Sequence, residues 1–122
     1  MWDQIQVTYE LDIIPGKAAD LREIAKAMVA INDAEEPGTV RYNAYMNKEE
    51  TIFTFLEAFT NSEHFQYHGE RFAQGSFVHQ IVEWTDGGRL CVLGPISESF
   101  KDWAAEAGFE IEYFDLISGF NR

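Results

Sequence analysis

The chain is poor in cysteine, proline and basic residues, and it contains no long apolar run. Its one cysteine, Cys91, excludes an intrachain disulfide and lies inside Leu90-Cys91-Val92-Leu93, which reads as a buried strand. Apolar surroundings raise a thiol's pKa and leave it inert, so Cys91 is not read as a nucleophile. A reducing, cytoplasmic setting fits this cysteine usage best. Nine Lys plus Arg stand against 21 Asp plus Glu, a formal net charge of −12 at pH 7, and no basic block interrupts that acidity. A sequence-independent grip on nucleic acid is excluded, and anionic membrane surfaces are poor partners. No apolar stretch approaches the roughly 20 residues that span a bilayer. Met1-Trp2-Asp3-Gln4 has neither the basic nor the apolar region of a signal peptide, so a soluble, uncleaved chain is expected.

Other absences bear on chemistry. Gly87-Gly88 follows a helical pattern and precedes a strand, the reverse of the order a dinucleotide site needs, and no nicotinamide, flavin or nucleotide motif is present. No cofactor is expected. His64 and His68 stand four apart on one helical face, but without a third ligand or a neighbouring glutamate the pair is a weak metal motif, and no metal is expected.

What is present suffices for one core. With 122 residues, 46% of them apolar and 15% aromatic, the chain reads as a single domain, 1–122. Ile5, Val7, Tyr9, Leu11 and Ile13 alternate with polar residues, a half-buried strand ended by Pro15-Gly16. Leu21, Ile24, Met28 and Ile31 fall at helical spacing in a helix from Lys17 to about Ala34, which Glu36-Pro37-Gly38 stops. Val40 to Met46 and Thr51 to Phe59 flank Asn47-Lys48-Glu49-Glu50 and predict a hairpin. Thr60, three residues before Glu63, has the spacing of a capping box for a second helix, which bends at Gly75-Ser76. Asp86-Gly87-Gly88 reads as a turn, Arg89 to Ile96 as a fourth strand, Ser97 to Gly108 as a further helix and Phe109 to Leu116 as a fifth strand.

The order is β-α-β-β-α-β with an added α-β tail. This is the split βαβ of an α+β, ferredoxin-like domain, an antiparallel sheet with its helices on one face. Ile52 to Phe59 is apolar on both sides, so the second sheet face needs a cover, and a second copy of the chain supplies it by two-fold symmetry. A homodimer is expected.

Two residues stand out chemically. His68 has the one side chain that titrates near neutrality, and it is the candidate general base; the competing role is a structural histidine that fixes its helix on the sheet. Glu57 interrupts an apolar strand and needs a partner, and a Glu57–His68 contact would explain both. Arg41, Asn43 and Tyr45 share one face of the second strand and Tyr42, Ala44 and Met46 the other. The first set, with His64, is the candidate substrate-binding group, although a solvated strand shows the same alternation. His79 is expected to be a surface or satisfied core histidine.

Glu36-Pro37-Gly38 leading into Arg41-Tyr42, then Glu57-Ala58-Phe59, then the helix bearing His68, resembles the antibiotic biosynthesis monooxygenase family of dimeric α+β barrels over about residues 4–96. Residues 97–122 form a helix-strand extension beyond the family core. The resemblance implies a dimeric barrel and matches His68 to the family's helix histidine. Members of that superfamily include cofactor-independent quinol and anthrone oxygenases, haem-degrading enzymes and isomerases. Phe59 stands where members often have tryptophan or tyrosine, and the asparagine, tryptophan and histidine of the haem-degrading branch are not placed on this sequence. The implied function is a cofactor-independent monooxygenase acting on a small aromatic or quinol-type substrate by base-assisted reaction with dioxygen. The alternatives are a non-catalytic small-ligand-binding or regulatory barrel, and a haem-handling member.

Overall fold

The computed structural model describes residues 3–122, so Met1 and Trp2 of the expected domain lie outside the described residues. Strand β1 (Ile5–Ile13) buries Ile5, Val7, Leu11 and Ile13 on one face, as its period of two requires. Helix α1 (Ala18–Glu35) turns Leu21, Ile24, Ala25 and Met28 onto that face. The helix ends where proline forbids its continuation. Glu36, the residue before Pro37, is pushed out of helical conformation to φ −124° and ψ 82°.

Strands β2 (Thr39–Met46) and β3 (Ile52–Phe59) form the expected hairpin. Its loop is tied by the Asn47 side-chain oxygen, which accepts from the amides of Thr51 and Ile52 at 2.9 and 2.8 Å. Helix α2 (Ser62–Gln74) starts one residue later than the Thr60–Glu63 spacing implied. Asn61 is the cap, its side chain accepting from the His64 amide at 3.0 Å, in keeping with the strong preference of asparagine for that position. After Gly75 the chain re-enters a helix, α3 (Phe77–Trp84).

Strand β4 (Thr85–Leu93) corrects the reading of Asp86-Gly87-Gly88 as a turn. The strand leaves α3 directly, and the glycines form an irregularity inside it, where the register against β1 shifts between Leu11 and Ile13. Gly87 has φ +77°, and a Cβ on Gly88 would lie 2.0 Å from the Glu10 carbonyl oxygen. Glycine is needed there because strand β1 lies against the backbone, as at other bulges.

Helix α4 (Glu98–Ala107) opens on Ser97, whose hydroxyl accepts from the Phe100 amide at 3.1 Å, and closes on the left-handed Gly108, as expected. Strand β5 (Glu112–Phe114) is much shorter than Phe109 to Leu116. It pairs parallel to β4 in the chain's own sheet, so α4 is the crossover helix of a βαβ unit. Phe109 and Ile111 are withdrawn from pairing because they pack against a core cluster instead.

The sheet is mixed, in the order β2-β3-β1-β4-β5. Its helix-covered face holds two apolar clusters. One gathers Leu21, Met28, Phe53 and Phe55 around α1, and the other gathers Phe59, Phe65, Val92 and Phe100 around α2 and α4. The fold is α+β and ferredoxin-like with one strand added. Among the described residues no helix is long and apolar enough to cross a membrane.

Candidate active site

A polar group is buried where the two clusters meet. Glu57 faces the helices from β3, between Phe55 and Phe59, and is 3% exposed. His68 lies opposite on α2, with the Phe59 and Tyr42 ring centroids 5.1 and 5.2 Å from its own. His68 Nε2 stands 3.5 Å from a Glu57 oxygen, close enough for charge interaction and long for a strong hydrogen bond. The Glu57–His68 contact expected from the sequence is therefore present but loose. The tighter partner is Glu36, whose Oε1 lies 2.8 Å from His68 Nδ1.

Glu36 is fully occupied. Arg71 Nε donates to its Oε2 and the Thr39 hydroxyl to its Oε1, both at 2.8 Å. A carboxylate so placed fixes Nδ1 as the protonated nitrogen and leaves Nε2 to face Glu57 and the cavity. Arg71 also reaches Glu35 at 2.8 Å, at the partly exposed outer edge of the cluster. With His68 protonated and Glu57 ionised, Arg71, Glu36, His68 and Glu57 alternate in sign and sum to zero.

The environment separates the two carboxyls. Burial alone would raise Glu36, but the hydrogen bonds from His68, Thr39 and Arg71 together with the imidazolium charge bring it below the ordinary carboxylate value. Glu57 lacks such donors, and burial pushes it up to about 7, with Glu36 adding and His68 opposing. Burial disfavours the His68 imidazolium, yet the bond to Glu36 and the two negative charges raise it above its usual value. Tyr42 and Tyr9 are pushed up first by burial and then by the Glu57 charge, so both phenols stay protonated. The group thus carries one proton exchangeable near neutrality and an imidazole whose direction is set.

His68 and Glu57 open onto an apolar cavity of about 50 Å³. Tyr9, Tyr42 and Phe55 of the sheet form one side, and Phe65, Phe72 and Trp103 of the helices the other. Arg41, Asn43 and Tyr45 are on the opposite sheet face, where Arg41 bonds Gln6 at 3.1 Å and Tyr45 is 51% exposed. This corrects the expectation that they line the site: the strand turns Tyr42, Ala44 and Met46 inward, and Tyr42 is the member at the cavity. His64 packs its ring over Gly38, where a Cβ would fall 1.9 Å from the His64 Cγ, and it does not line the cavity. His79 is exposed. Sequence reasoning passed over Glu36, treated only as a helix stop, and Trp103, set apart in the extension. The signal for Glu36 was an acidic residue just before proline, at a helix end that must turn toward the sheet.

A family model for antibiotic biosynthesis monooxygenase matches residues 5–80, well over half of the chain. The chain belongs to this family. The match stops short of residue 96, where the resemblance had been expected to end, so the antibiotic biosynthesis monooxygenase core supplies His68, Glu57 and Glu36 but not α4 or β5.

Solved structures share its fold. MupZ from Pseudomonas fluorescens is 19% identical with a TM-score of 0.77, covering 98% of this chain and 95% of its own. Rv0793 from Mycobacterium tuberculosis is 19% identical with a TM-score of 0.65, over 80% of this chain and 99% of its own. A protein from Nitrosomonas europaea that carries the family's name as a candidate assignment is 16% identical with a TM-score of 0.64, over 75% of this chain and 89% of its own. Among curated proteins no relative matches.

Proposed function

We propose that the protein is a cofactor-independent monooxygenase that oxidises a small phenolic or quinol-type aromatic with dioxygen, using the Glu57–His68 pair to take and return protons. The observation that carries this reading is the pair itself, a carboxyl near its titration point beside a fixed imidazole, both opening onto an aromatic-lined cavity. Membership of a monooxygenase family supports the reaction class.

Above about pH 7, where Glu57 is ionised, its carboxylate accepts the substrate's acidic proton while the His68 imidazolium stays beside the anion that forms. That arrangement stabilises developing negative charge in a site of low polarity. The electron-rich anion gives one electron to dioxygen, and the radical and superoxide combine to form a carbon–oxygen bond. The peroxide takes the proton from Glu57. Loss of the remaining hydrogen on that carbon as a proton, with cleavage of the O–O bond, leaves a carbonyl and a hydroxide that becomes water. One oxygen atom enters the product and one enters water. Tyr9 and Tyr42, held protonated, offer hydroxyls to an oxygen of the substrate.

Oxygen uptake on a panel of quinols and anthrones tests the reading, with one equivalent of oxygen consumed per carbonyl formed. Tight ligand binding with no uptake by the wild type across that panel would favour a binding protein in its place. We also propose that the working form is a homodimer closed over the open sheet face, and that the reduced Cys91 places the protein in the cytoplasm. A mass of about twice 14.0 kDa by light scattering is the expected outcome for the first, and an unmodified thiol in protein isolated from cells for the second.

A further inference from the structure

The cavity at His68 is too small for the substrates its chemistry suits. It holds about 50 Å³, whereas an apolar cavity of about 150 Å³ is what accommodates a benzene ring. A ring therefore reaches His68 only where a wall gives way. One wall is thin: Tyr9, Phe72, Leu90, Phe109 and Ile111 line both the inner cavity and an outer cleft of about 890 Å³.

Phe109 and Ile111 belong to the connection between α4 and β5, which lies outside the strand ladder and is held by the packing of those two side chains and by the Phe109 amide, which donates to the Ala104 carbonyl at 2.9 Å. The connection begins at the left-handed Gly108, φ +89°, and ends at a three-residue strand. The exposed Arg89–Glu112 ion pair, two-pronged at 2.6 and 3.1 Å, lies on the outer cleft and ties β5 to β4, not Phe109 or Ile111. The Phe109 ring rests on Trp103, centroids 5.7 Å apart. Trp103 in turn lies over Gly69 of α2, where a Cβ would be 2.8 Å from its ring.

We propose that the α4–β5 connection is the size-selecting wall of the site, with substrates passing from the outer cleft past Phe109 and Ile111 to His68, and Phe109 on its Trp103 backing setting how many rings fit. The proposal rests on the Glu57–His68 pair as the reacting centre. It makes ring-number selectivity a property of the segment outside the family match, separable from the acid–base group inside it.

The test uses phenol and 1-naphthol as probes, with the His68 ring proton followed by NMR and assigned by its loss in His68→Gln. In the wild type, phenol shifts that resonance at lower concentration than 1-naphthol. Phe109→Ala should improve 1-naphthol relative to phenol by about tenfold or more, the scale of adding room to an apolar pocket. Ile111→Ala should move the ratio the same way, so the outcome does not hang on one variant's folding. Val82→Ala, exposed on the outer cleft alone, should leave it unchanged. An unchanged ratio in both wall variants overturns the proposal, and so does failure of either probe to move His68 in any variant. Naphthol bound at His68 of Phe109→Ala, with no oxygen uptake by the wild type across the quinol and anthrone panel, would keep the wall and remove the oxygenase reading. Turnover with unaltered ring preference would remove the wall alone.

Discussion

The imidazole of His68 has two carboxyl neighbours with opposite duties, and single substitutions separate them. Glu36 is held ionised by three donors, so its contribution to stability is present above the ordinary carboxylate value and fades as pH falls through its lowered pKa. Glu36→Ala removes the tight partner of buried His68 and leaves Arg71 only Glu35, and a loss of about 2–4 kcal/mol in urea unfolding at pH 7 is expected, near the range for breaking a buried pair. Glu57 behaves inversely. Its folded pKa is raised to about 7, so the folded state binds the proton more tightly than the unfolded chain, and stability from this group falls as pH climbs from the ordinary carboxylate value to about 7. Glu57→Gln should flatten that decline while lowering turnover by roughly 10²–10⁴, the usual worth of a positioned acid–base group. A Glu57→Gln enzyme with wild-type turnover would remove the carboxyl from the mechanism. His68 and Glu57 were legible in the sequence because a histidine and a lone acid in apolar company each demand a partner. Glu36 was not, since its neighbours Glu35 and Pro37 suggest only a solvated helix end, and its aim depends on where α2 lies.

At the scale of elements, glycine-rich strand β4 shows what periodicity leaves out. Asp86-Gly87-Gly88 has the composition of a turn and of a bulge alike, and only the strand alongside tells them apart. Two substitutions test that reading. A Cβ on Gly88 would strike the Glu10 carbonyl oxygen at 2.0 Å and Leu11 Cα at 2.9 Å, so β1 and β4 must separate to admit it. Gly87 at φ +77° has nothing within 4 Å, and alanine there meets only the intrinsic strain of the left-handed region, about 1–2 kcal/mol. Gly88→Ala should therefore lower Tm clearly more than Gly87→Ala, with β1 amides the first to lose hydrogen-exchange protection. Equal effects would mean that the strands part easily at this point. Where local chemistry sufficed, as in the alternation of β1, the Asn47–Glu50 loop and the Ser97 and Gly108 caps, the expected elements stand at or within a residue or so of their places. The fifth strand was overdrawn because Phe109 and Ile111 satisfy a strand pattern and a core-packing role equally well.

Across the whole molecule the sheet has one face built by helices and one left open. The open face alternates in kind as well as in pattern: β1 presents Gln6, Thr8, Glu10 and Asp12, while β3 presents Ile52, Thr54 and Leu56. The two-sided apolar strand is β3 alone, and its neighbour β1 is half-buried as its alternation predicts, so a second copy would meet a mixture of apolar contacts and carboxylates. Each copy carries a formal charge of −12 at pH 7, and bringing two together is opposed electrostatically at every separation within a Debye length. Salt shortens that length from about 30 Å at 0.01 M to about 3 Å at 1 M. Dimerisation of this chain should therefore tighten as sodium chloride rises over that range, the reverse of an association held by ion pairs. Sedimentation equilibrium at several salt concentrations measures it, and Leu56→Asp, which adds a charge to the apolar row, should shift the equilibrium to monomer at every concentration. An affinity that weakens with salt would mean that the contact uses Arg41, Arg89 and opposing carboxylates in place of the β3 row, and it would move the interface toward the sheet edges.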